Sequence, residues 1–433
     1  MPRVLIAGGG LAGLAAAAAL GSAGFEVELF EARGFLGGRA TSYPLADGSE
    51  VIDNCQHVLM ACFVNLLDLY DRLGVRDRIR FFREFYFIEP GGRVSTLKAG
   101  LLPAPMHFFG SFARLRFLSA GDKLAVARGL LALGREHAGR TDLDRITMLE
   151  WLQEKRQTPR AIERFWRQVL VSAINEDLDR MAARHGFQVF HLGFLGRAGA
   201  HRMGLSAVPL AELYGAHGMA GVALHLRTPV DCFRLENGRV TALAAGGGEH
   251  TADYYVCALP FERAGAAVPG LALDLDAFEH SPITSIHLWF DRPVMEFPHA
   301  TLVDRTIQWA FNKGDGRYVQ LVVSASRSLI DRGRQEIIDL ALGELGEFFP
   351  KAREAKLLKA HVVKEVRATF SGRPGLDGLR PPARTEVPNL FLAGDWTRTG
   401  WPATMEGAVR SGYLAAEAVT AAAGNPSRFV LEP

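Results

Sequence analysis

Gly8, Gly10 and Gly13 lie between an apolar strand and a helix, and that order of elements is open to few folds. Arg3-Val-Leu-Ile-Ala7 reads as a buried strand, Leu11 begins an alanine-rich helix, and Glu26-Val-Glu-Leu-Phe30 reads as a second strand ending on Glu31. The glycines satisfy G-x-G-x-x-G in the strand–turn–helix setting that gives the motif its meaning. Lacking Cβ atoms, such a turn lets backbone approach a pyrophosphate closely. The helix start at Leu11, Ala12 and Gly13 aims free N–H groups and a positive dipole end at that anion. Glu31 lies 18 positions after Gly13, near where a carboxylate takes a ribose hydroxyl pair. Ala32, Arg33 and the later Val230 are assigned to the same binding set.

The other end of the chain carries a second half-site. Asn389-Leu-Phe-Leu-Ala-Gly394-Asp395 reads as a strand closing on an aspartate that accepts hydrogen bonds from a ribityl or phosphate-side hydroxyl. Pro402, Ala403, Thr404 and Met405 open the last helix, whose dipole suits negative charge on a reduced flavin ring. Gly37-Gly38-Arg39 adds glycine backbone and a cation for a second phosphate or the flavin edge. Each has a plain structural alternative: a surface arginine, a cap aspartate, a Pro-initiated helix. Together they favour FAD over NAD.

At 433 residues the chain exceeds one typical core, and the distant half-sites imply interleaved domains. The expected fold class is α/β, or α+β overall: a Rossmann-type FAD-binding domain with an interleaved substrate domain of helices and a mixed or antiparallel sheet. Residues 1–75, 205–275 and 365–433 are assigned to the first, 76–204 and 276–364 to the second. A net charge of +2 without a long basic run argues against a nucleic-acid partner. Cys55, Cys62, Cys232 and Cys257 lack metal spacing and read as reduced thiols. The nucleotide fold begins by residue 3, which argues against a signal peptide, and no apolar run is long enough to span a bilayer. A cytoplasmic location is expected, with any membrane contact peripheral, on the inner face.

Ala61–Leu73 reads as an amphipathic helix, and Phe85–Glu89 with Val94–Leu97 as a hairpin turned at Gly91-Gly92. From about 105 to 204 the pattern is helical, with Thr147-x-x-Glu150 as a capping box. Strands at 222–226, 230–235, 239–243 and 253–258, separated by Asn237-Gly238 and Gly246–Gly248, read as a meander. Strands at 285–290, 308–311 and 318–324 precede a helix near 334–348. Gly193–Gly196 and Gly215–Gly218 lack the flanking pattern of a second dinucleotide site. Electrons therefore come from, or go to, an external partner: a protein, a small donor, oxygen or a quinone.

Taken with Leu392-Ala-Gly-Asp-Trp396 and Pro402-Ala-Thr-Met-Glu-Gly407, these motifs resemble the flavin amine oxidase and phytoene desaturase superfamily over the whole chain. Within it, Ile52-Asp-Asn-Cys-Gln-His-Val-Leu-Met60, Leu102-Pro-Ala-Pro-Met106 and Trp396-Thr-Arg-Thr-Gly-Trp-Pro402 resemble the squalene-associated FAD-dependent desaturases, described as hydroxysqualene dehydroxylases of hopanoid biosynthesis. The resemblance implies reduction of hydroxysqualene to squalene, reduced FAD giving hydride to an allylic cation. It departs at Cys55, where relatives carry glycine: either a neutral variation or a thiol facing the flavin.

That chemistry needs an acid near the leaving oxygen and a dry apolar tunnel. Asp53 and His57 are the candidate catalytic pair; the competing account makes them a turn aspartate and an interior histidine. Phe85, Tyr86, Phe87, Phe108, Phe109, Phe112, Trp166, Phe187, Phe190 and Phe194 supply aromatic faces, a minority of them expected along a channel. His185, His191 and His201 have no carboxylate at ligand spacing, so no metal is expected. Residues 101–118 combine large apolar side chains with Arg114 and Arg116 and suit an interfacial element, against a plain helix packed on the other domain. Rival readings are a carotenoid-type desaturase, a protoporphyrinogen or amine oxidase, and a non-catalytic flavin- and prenyl-lipid-binding protein.

Overall fold

The computed structural model describes every residue except 49, 216–218 and 220. Gly215–Gly218 therefore lies largely outside the described residues. Five parallel strands form the first sheet: β1 (Arg3–Ala7), β2 (Glu26–Glu31), β10 (Val222–Leu226), β14 (Tyr254–Cys257) and β20 (Leu390–Leu392). Their order is β10-β2-β1-β14-β20, so the chain reverses direction of growth beside β1. In such sheets ligands bind at the carboxyl ends of the strands flanking this switch point. Helix α1 (Leu11–Ser22) packs here against the final helix, α13 (Met405–Ala422). The alanines keep α1 narrow: a Cβ on Gly412 of α13 would meet Ala15 at 2.8 Å.

The expected meander divides. Val222 pairs in parallel with Val27, and Tyr255 in parallel with Leu390, so β10 and β14 belong to the nucleotide sheet. Only β11 (Val230–Glu236), β12 (Arg239–Ala245) and β13 (Gly248–His250) form the antiparallel meander. The separation occurs at Arg227, whose left-handed φ of 55° turns the chain out of the first sheet. Local alternation cannot distinguish the two, because partner choice is made across the chain.

A second layer is a seven-stranded sheet of order β19-β15-β18-β17-β16-β7-β8. It comprises β7 (Glu84–Glu89), β8 (Arg93–Lys98), β15 (His280–Phe290), β16 (His299–Leu302), β17 (Trp309–Asn312), β18 (Tyr318–Ser324) and β19 (Leu357–Phe370). It is mixed, with β16 and β7 parallel and the other pairs antiparallel. One face is aliphatic: Ile286, Ala300, Ala310 and Leu321 pack with Ile337, Ala341 and Leu345 of α10 (Arg334–Phe348). The other face is aromatic and polar. β19 is continuous through 364/365 and β9 (Met203–Ser206) through 204/205, so two of the four expected boundaries fall within strands. No change of composition marks a strand that carries the chain between layers.

The helical region forms a cap over the aromatic face. It contains α3 (Phe109–Ala113), α4 (Ala120–Glu136), α5 (Met148–Glu154), α7 (Arg167–Ile174) and α8 (Ala183–Phe190). Thr147 and Glu150 make the expected capping box on α5. Two π-helical turns, Ile162–Trp166 and His191–Leu195, interrupt the cap helices, a feature common where a helix serves a site. Trp309 Nε1 donates to Ser172 Oγ at 2.7 Å, joining cap and sheet. Among the described residues no helix is long and apolar enough to cross a membrane.

Candidate flavin site

The first glycine turn is defined by backbone geometry. Gly8 has φ 110°, and a Cβ there would meet the Ala258 carbonyl oxygen at 2.7 Å. A Cβ on Gly13 would collide with the Gly8 carbonyl oxygen. Gly10 differs: a Cβ there has only the Gly38 Cα within reach, at 4.0 Å. Packing explains glycine at 8 and 13 but not at 10, where the open space suits a close-lying phosphate. The second glycine pair abuts this space, with Gly37 N donating to Gly9 O at 2.9 Å. The residues present fit a dinucleotide pyrophosphate.

Glu31 accepts from Gly9 N and Arg33 N, both at 2.8 Å. It thus fixes the turn and retains acceptor capacity for ribose hydroxyls. Ala32 and Arg33 are exposed beside it. Val230 is buried with Phe30, close to the same end of β2.

Arg39 and Asp395, each assigned to the flavin from the sequence, also bind one another. Arg39 Nη2 donates to both Asp395 carboxylate oxygens at 2.8 Å across 356 positions. They clamp one another, and the clamp joins the two half-sites. Gly394 N donates to Ser411 Oγ at 2.8 Å, holding the end of β20 against α13. Helix α13 begins at Met405, one turn later than expected; Pro402 and Ala403 precede it and Thr404 caps it, its hydroxyl accepting from Gly407 N at 3.1 Å.

Several supporting residues carry no local sequence signal. Arg380 is buried and donates to the Asp395, Thr397 and Trp401 carbonyls, to Thr399 Oγ1 and to Asp377. The buried Glu406 carboxylate accepts from Asn65 N and Leu66 N, capping α2 (Val64–Arg72). Arg380 was legible only as one arginine among many. Thr404, a residue type favoured at helix N-caps, is the one local signal for the cap on α13.

The expected acid–base pair is not formed. Asp53, at the end of β4 (Val51–Asp53), accepts from Ser42 Oγ at 2.6 Å, Leu210 N at 3.1 Å and Lys313 Nζ at 2.8 Å. Burial alone would raise its pKa, but Lys313, Ser42 and Leu210 outweigh that and hold it below its ordinary value. Burial lowers the pKa of His57, whose Nδ1 faces the Cys55 carbonyl at 3.3 Å, and no hydrogen bond joins it to Asp53. An ionised carboxylate and a neutral imidazole at pH 7 are not proton donors of the kind proposed. Asp53 is a strut between its loop and the sheet; the missed partner, Lys313, lies 260 positions away.

This assignment has a signed pH consequence. A carboxylate with a lowered folded pKa stabilises fully above its ordinary value of 3.8 and loses that stabilisation as pH falls through the folded value. The Tm gap between wild type and Asp53→Asn is therefore expected to be widest near neutral pH and to close on acidification. Thermal melts of the two across acidic pH check it. A gap independent of pH counts against the strut.

Cys55 adopts φ 66° and its side chain is buried with Leu45, Ile52 and Val363. The left-handed backbone is one that glycine adopts without strain, and the thiol packs into the sheet-side cluster. Burial pushes its pKa well up, so it is not a reactive thiolate. Cys55→Gly trades strain relief of about 1–2 kcal/mol against lost burial. It is expected to leave stability within about 1 kcal/mol by denaturant melts, whereas Cys55→Val is expected to destabilise.

Of the aromatic set, Trp166, Phe187 and Phe190 are cap core, and Phe109 is exposed. Phe108, Phe194 and Phe85 form a row, with centroids 5.9 and 6.0 Å apart, that ends at His299 on β16. Across the sheet, His299 neighbours Phe311, Gln320 and His287 in register, and Thr301 neighbours Trp309. Thr301 Oγ1 and Gln320 Oε1 are buried without a hydrogen-bond partner among the described residues. Among the described residues, neither ring nitrogen of His299 has a hydrogen-bond partner of normal geometry. Burial takes its pKa down to about 4, an effect the nearby Glu84 backbone only partly offsets. His191 stacks on His137 at 3.7 Å, and His201 lies against Phe108.

Residues 11–420 match the flavin containing amine oxidoreductase family. The chain is 27% identical to zeta-carotene desaturase of Synechocystis sp., covering 97% of each chain. It is 28% identical to the 15-cis-phytoene desaturase of an Oncidium hybrid cultivar, covering 96% of this chain and 77% of that one. Among solved structures it resembles a putrescine oxidase double mutant, with TM-score 0.74, 15% identity and coverage of 97% and 99%. It also resembles cyclohexylamine oxidase from Brevibacterium oxydans, with TM-score 0.68, 20% identity and coverage of 98% and 99%.

Proposed function

Because the chain belongs to the flavin containing amine oxidoreductase family, with FAD as its cofactor, we propose that it oxidises or reduces a long isoprenoid at an allylic carbon. The carrying observation is the buried aromatic face of the second sheet, reached by the Phe108–Phe194–Phe85 row. Bound FAD supplies the hydride exchange. The Gly8–Gly13 and Gly37–Gly38 turns, Glu31 and Val230 hold its adenosine diphosphate part, and the lead-in to α13 holds the ring. The cap excludes water, and ring faces such as Trp309 and Phe311 stabilise positive charge on the chain. The relatives favour carotenoid-type desaturation with an external electron acceptor.

A second reading, reduction of hydroxysqualene to squalene with an external donor, has its own observation. Thr301 Oγ1 and Gln320 Oε1 are buried and unpaired among the described residues; a hydrocarbon leaves them so, whereas a substrate hydroxyl pairs with them. It also keeps the resemblance of Ile52–Met60. One experiment separates the readings: purified holoprotein is given phytoene or zeta-carotene with a quinone, and hydroxysqualene with dithionite under anaerobic conditions. A new carotenoid double bond supports the first, squalene the second. Turnover of a polyamine or protoporphyrinogen and of neither isoprenoid overturns both. Dithionite bleaching that no lipid reverses points to the non-catalytic carrier. Thr301→Val with Gln320→Leu is expected to raise KM about tenfold for an alcohol substrate and to leave a carotenoid KM unchanged.

A further inference from the structure

β6 (Ile79–Phe82) forms one edge of a small antiparallel sheet of order β5-β9-β6, with β5 at Leu59–Met60. Arg80 pairs with Leu205 and Phe82 with Met203, so the run 76–83 lies beside the run 197–206. Together the runs hold Arg76, Arg78, Arg80, Arg83, Arg197 and Arg202, against one acid, Asp77. The flanking acids are already engaged: Asp71 takes Arg76, and Glu84 takes Lys98 and Tyr86. Arg78 donates to the Glu212 carbonyl oxygen. Arg80, Arg83, Arg197 and Arg202 have no ion-pair partner among the described residues, and the first three are exposed.

Two of these cations are ordered in advance. The Arg80 guanidinium lies 5.1 Å from the centre of the Phe82 ring, and that of Arg202 lies 5.4 Å from the centre of Phe81. Successive strand residues face opposite ways, so positive charge lines both sides of the edge. The runs contain no lysine. Arginine offers a planar fork that pairs a carboxylate through two bonds, where lysine offers a point charge. Among the described residues, no strongly exposed large apolar side chain falls in either run, so the edge has nothing to sink into an acyl layer. Both features favour a protein surface rich in Asp and Glu.

The edge is also tied to the flavin side of the molecule. Ala61 N, just after β5, donates to the Arg202 carbonyl oxygen at 2.9 Å. Just before β5, Asn54 Nδ2 donates to the Arg39 carbonyl oxygen at 3.1 Å, and Arg39 belongs to the clamp with Asp395. Gly193–Gly196 and Gly215–Gly218 lack the pattern of a second dinucleotide site, which leaves electron exchange to an external partner.

We propose that the β6 edge docks an acidic electron-carrier protein, one that holds an iron–sulfur cluster or a flavin. Each docking moves one electron between carrier and FAD; two dockings, with two protons exchanged with water, interconvert FAD and FADH2. A reductive reaction oxidises the carrier and a desaturation reduces it, so the docking is the same under either isoprenoid reading.

The test is isothermal titration calorimetry of FAD-loaded protein with two acidic probes, a [2Fe–2S] ferredoxin and a flavodoxin. Binding of at least one at about 20 mM salt is expected, weakened at least about tenfold at about 0.5 M by screening. Arg80→Glu/Arg83→Glu/Arg197→Glu is expected to lower affinity at least about tenfold and to remove the salt effect. It should keep bound FAD and wild-type melting, since these side chains are exposed. Arg234→Glu/Arg292→Glu reverses exposed arginines elsewhere on the surface and should bind like wild type, which separates a site from general charge. Failure of both probes to bind at low salt overturns the proposal, as does equal affinity in the triple variant and wild type. Equal loss in the triple and control variants also overturns it. Binding to phosphatidylglycerol vesicles but to neither probe assigns the edge to lipid instead. The readout is binding of a protein probe, so it is independent of the substrate tests.

Discussion

Gly13→Ala is expected to give unstable, colourless protein, whereas Gly10→Ala folds normally and loses FAD. The two glycines stand three positions apart in one motif, yet different neighbours constrain them. At Gly13 the new Cβ runs into the Gly8 carbonyl oxygen, a backbone atom that cannot turn aside. Either α1 or the turn must move, and both lie in the core beside β1. Overpacking of this kind costs on the order of 3 kcal/mol, or roughly 3 °C in Tm for a chain of this size. At Gly10 the same Cβ has no protein neighbour nearer than 4.0 Å, and its φ of −76° is ordinary. Melting of FAD-free Gly10→Ala should therefore match wild type, while the dissociation constant for FAD rises at least about tenfold, about 1.4 kcal/mol. Flavin absorbance after gel filtration and melts of both apo variants separate fold from ligand. Tight FAD binding by Gly10→Ala would mean that this turn does not face the pyrophosphate.

Arg380→Met carries the other large expected effect. Its guanidinium is 1% exposed and makes donor contacts of 2.7–2.8 Å to three carbonyls, a threonine hydroxyl and Asp377. Its charge also lies 5.2 Å from the centre of the Phe370 ring. Removing it leaves those acceptors buried and Asp377 with less compensation, a loss of about 3–5 kcal/mol. Tm should fall by roughly 3–5 °C. FAD should be lost as well, because Arg380 shapes the loop from Asp395 to Trp401 that precedes α13. Arg380→Lys keeps the charge but not the fork of donors, and intermediate behaviour is expected. Arg373→Met is the control. That arginine pairs with the half-exposed Glu279, and exposed pairs contribute about 0–1 kcal/mol. If Arg380→Met melts no lower than Arg373→Met, the hub assignment is wrong.

The sequence alone determined the glycine turns, β1, β2, the capping box at Thr147 and the half-sites at the two ends. Each rests on residues a few positions apart, where sterics, hydrogen-bond geometry and periodicity act within one turn or strand. It also exposed the apolar, acid-free run at 101–118, since composition needs no partner. Only the tertiary structure decided that Arg39 clamps Asp395, that Lys313 neutralises Asp53 and so removes it as an acid, and that β10 and β14 leave the meander for the parallel sheet. In each case the deciding partner lies far along the chain: 356 positions for Arg39, 260 for Lys313, and 195 from Val27 to Val222. Charge pairing and strand choice are settled by which segments meet when the core closes, and no local pattern in the chain encodes that meeting.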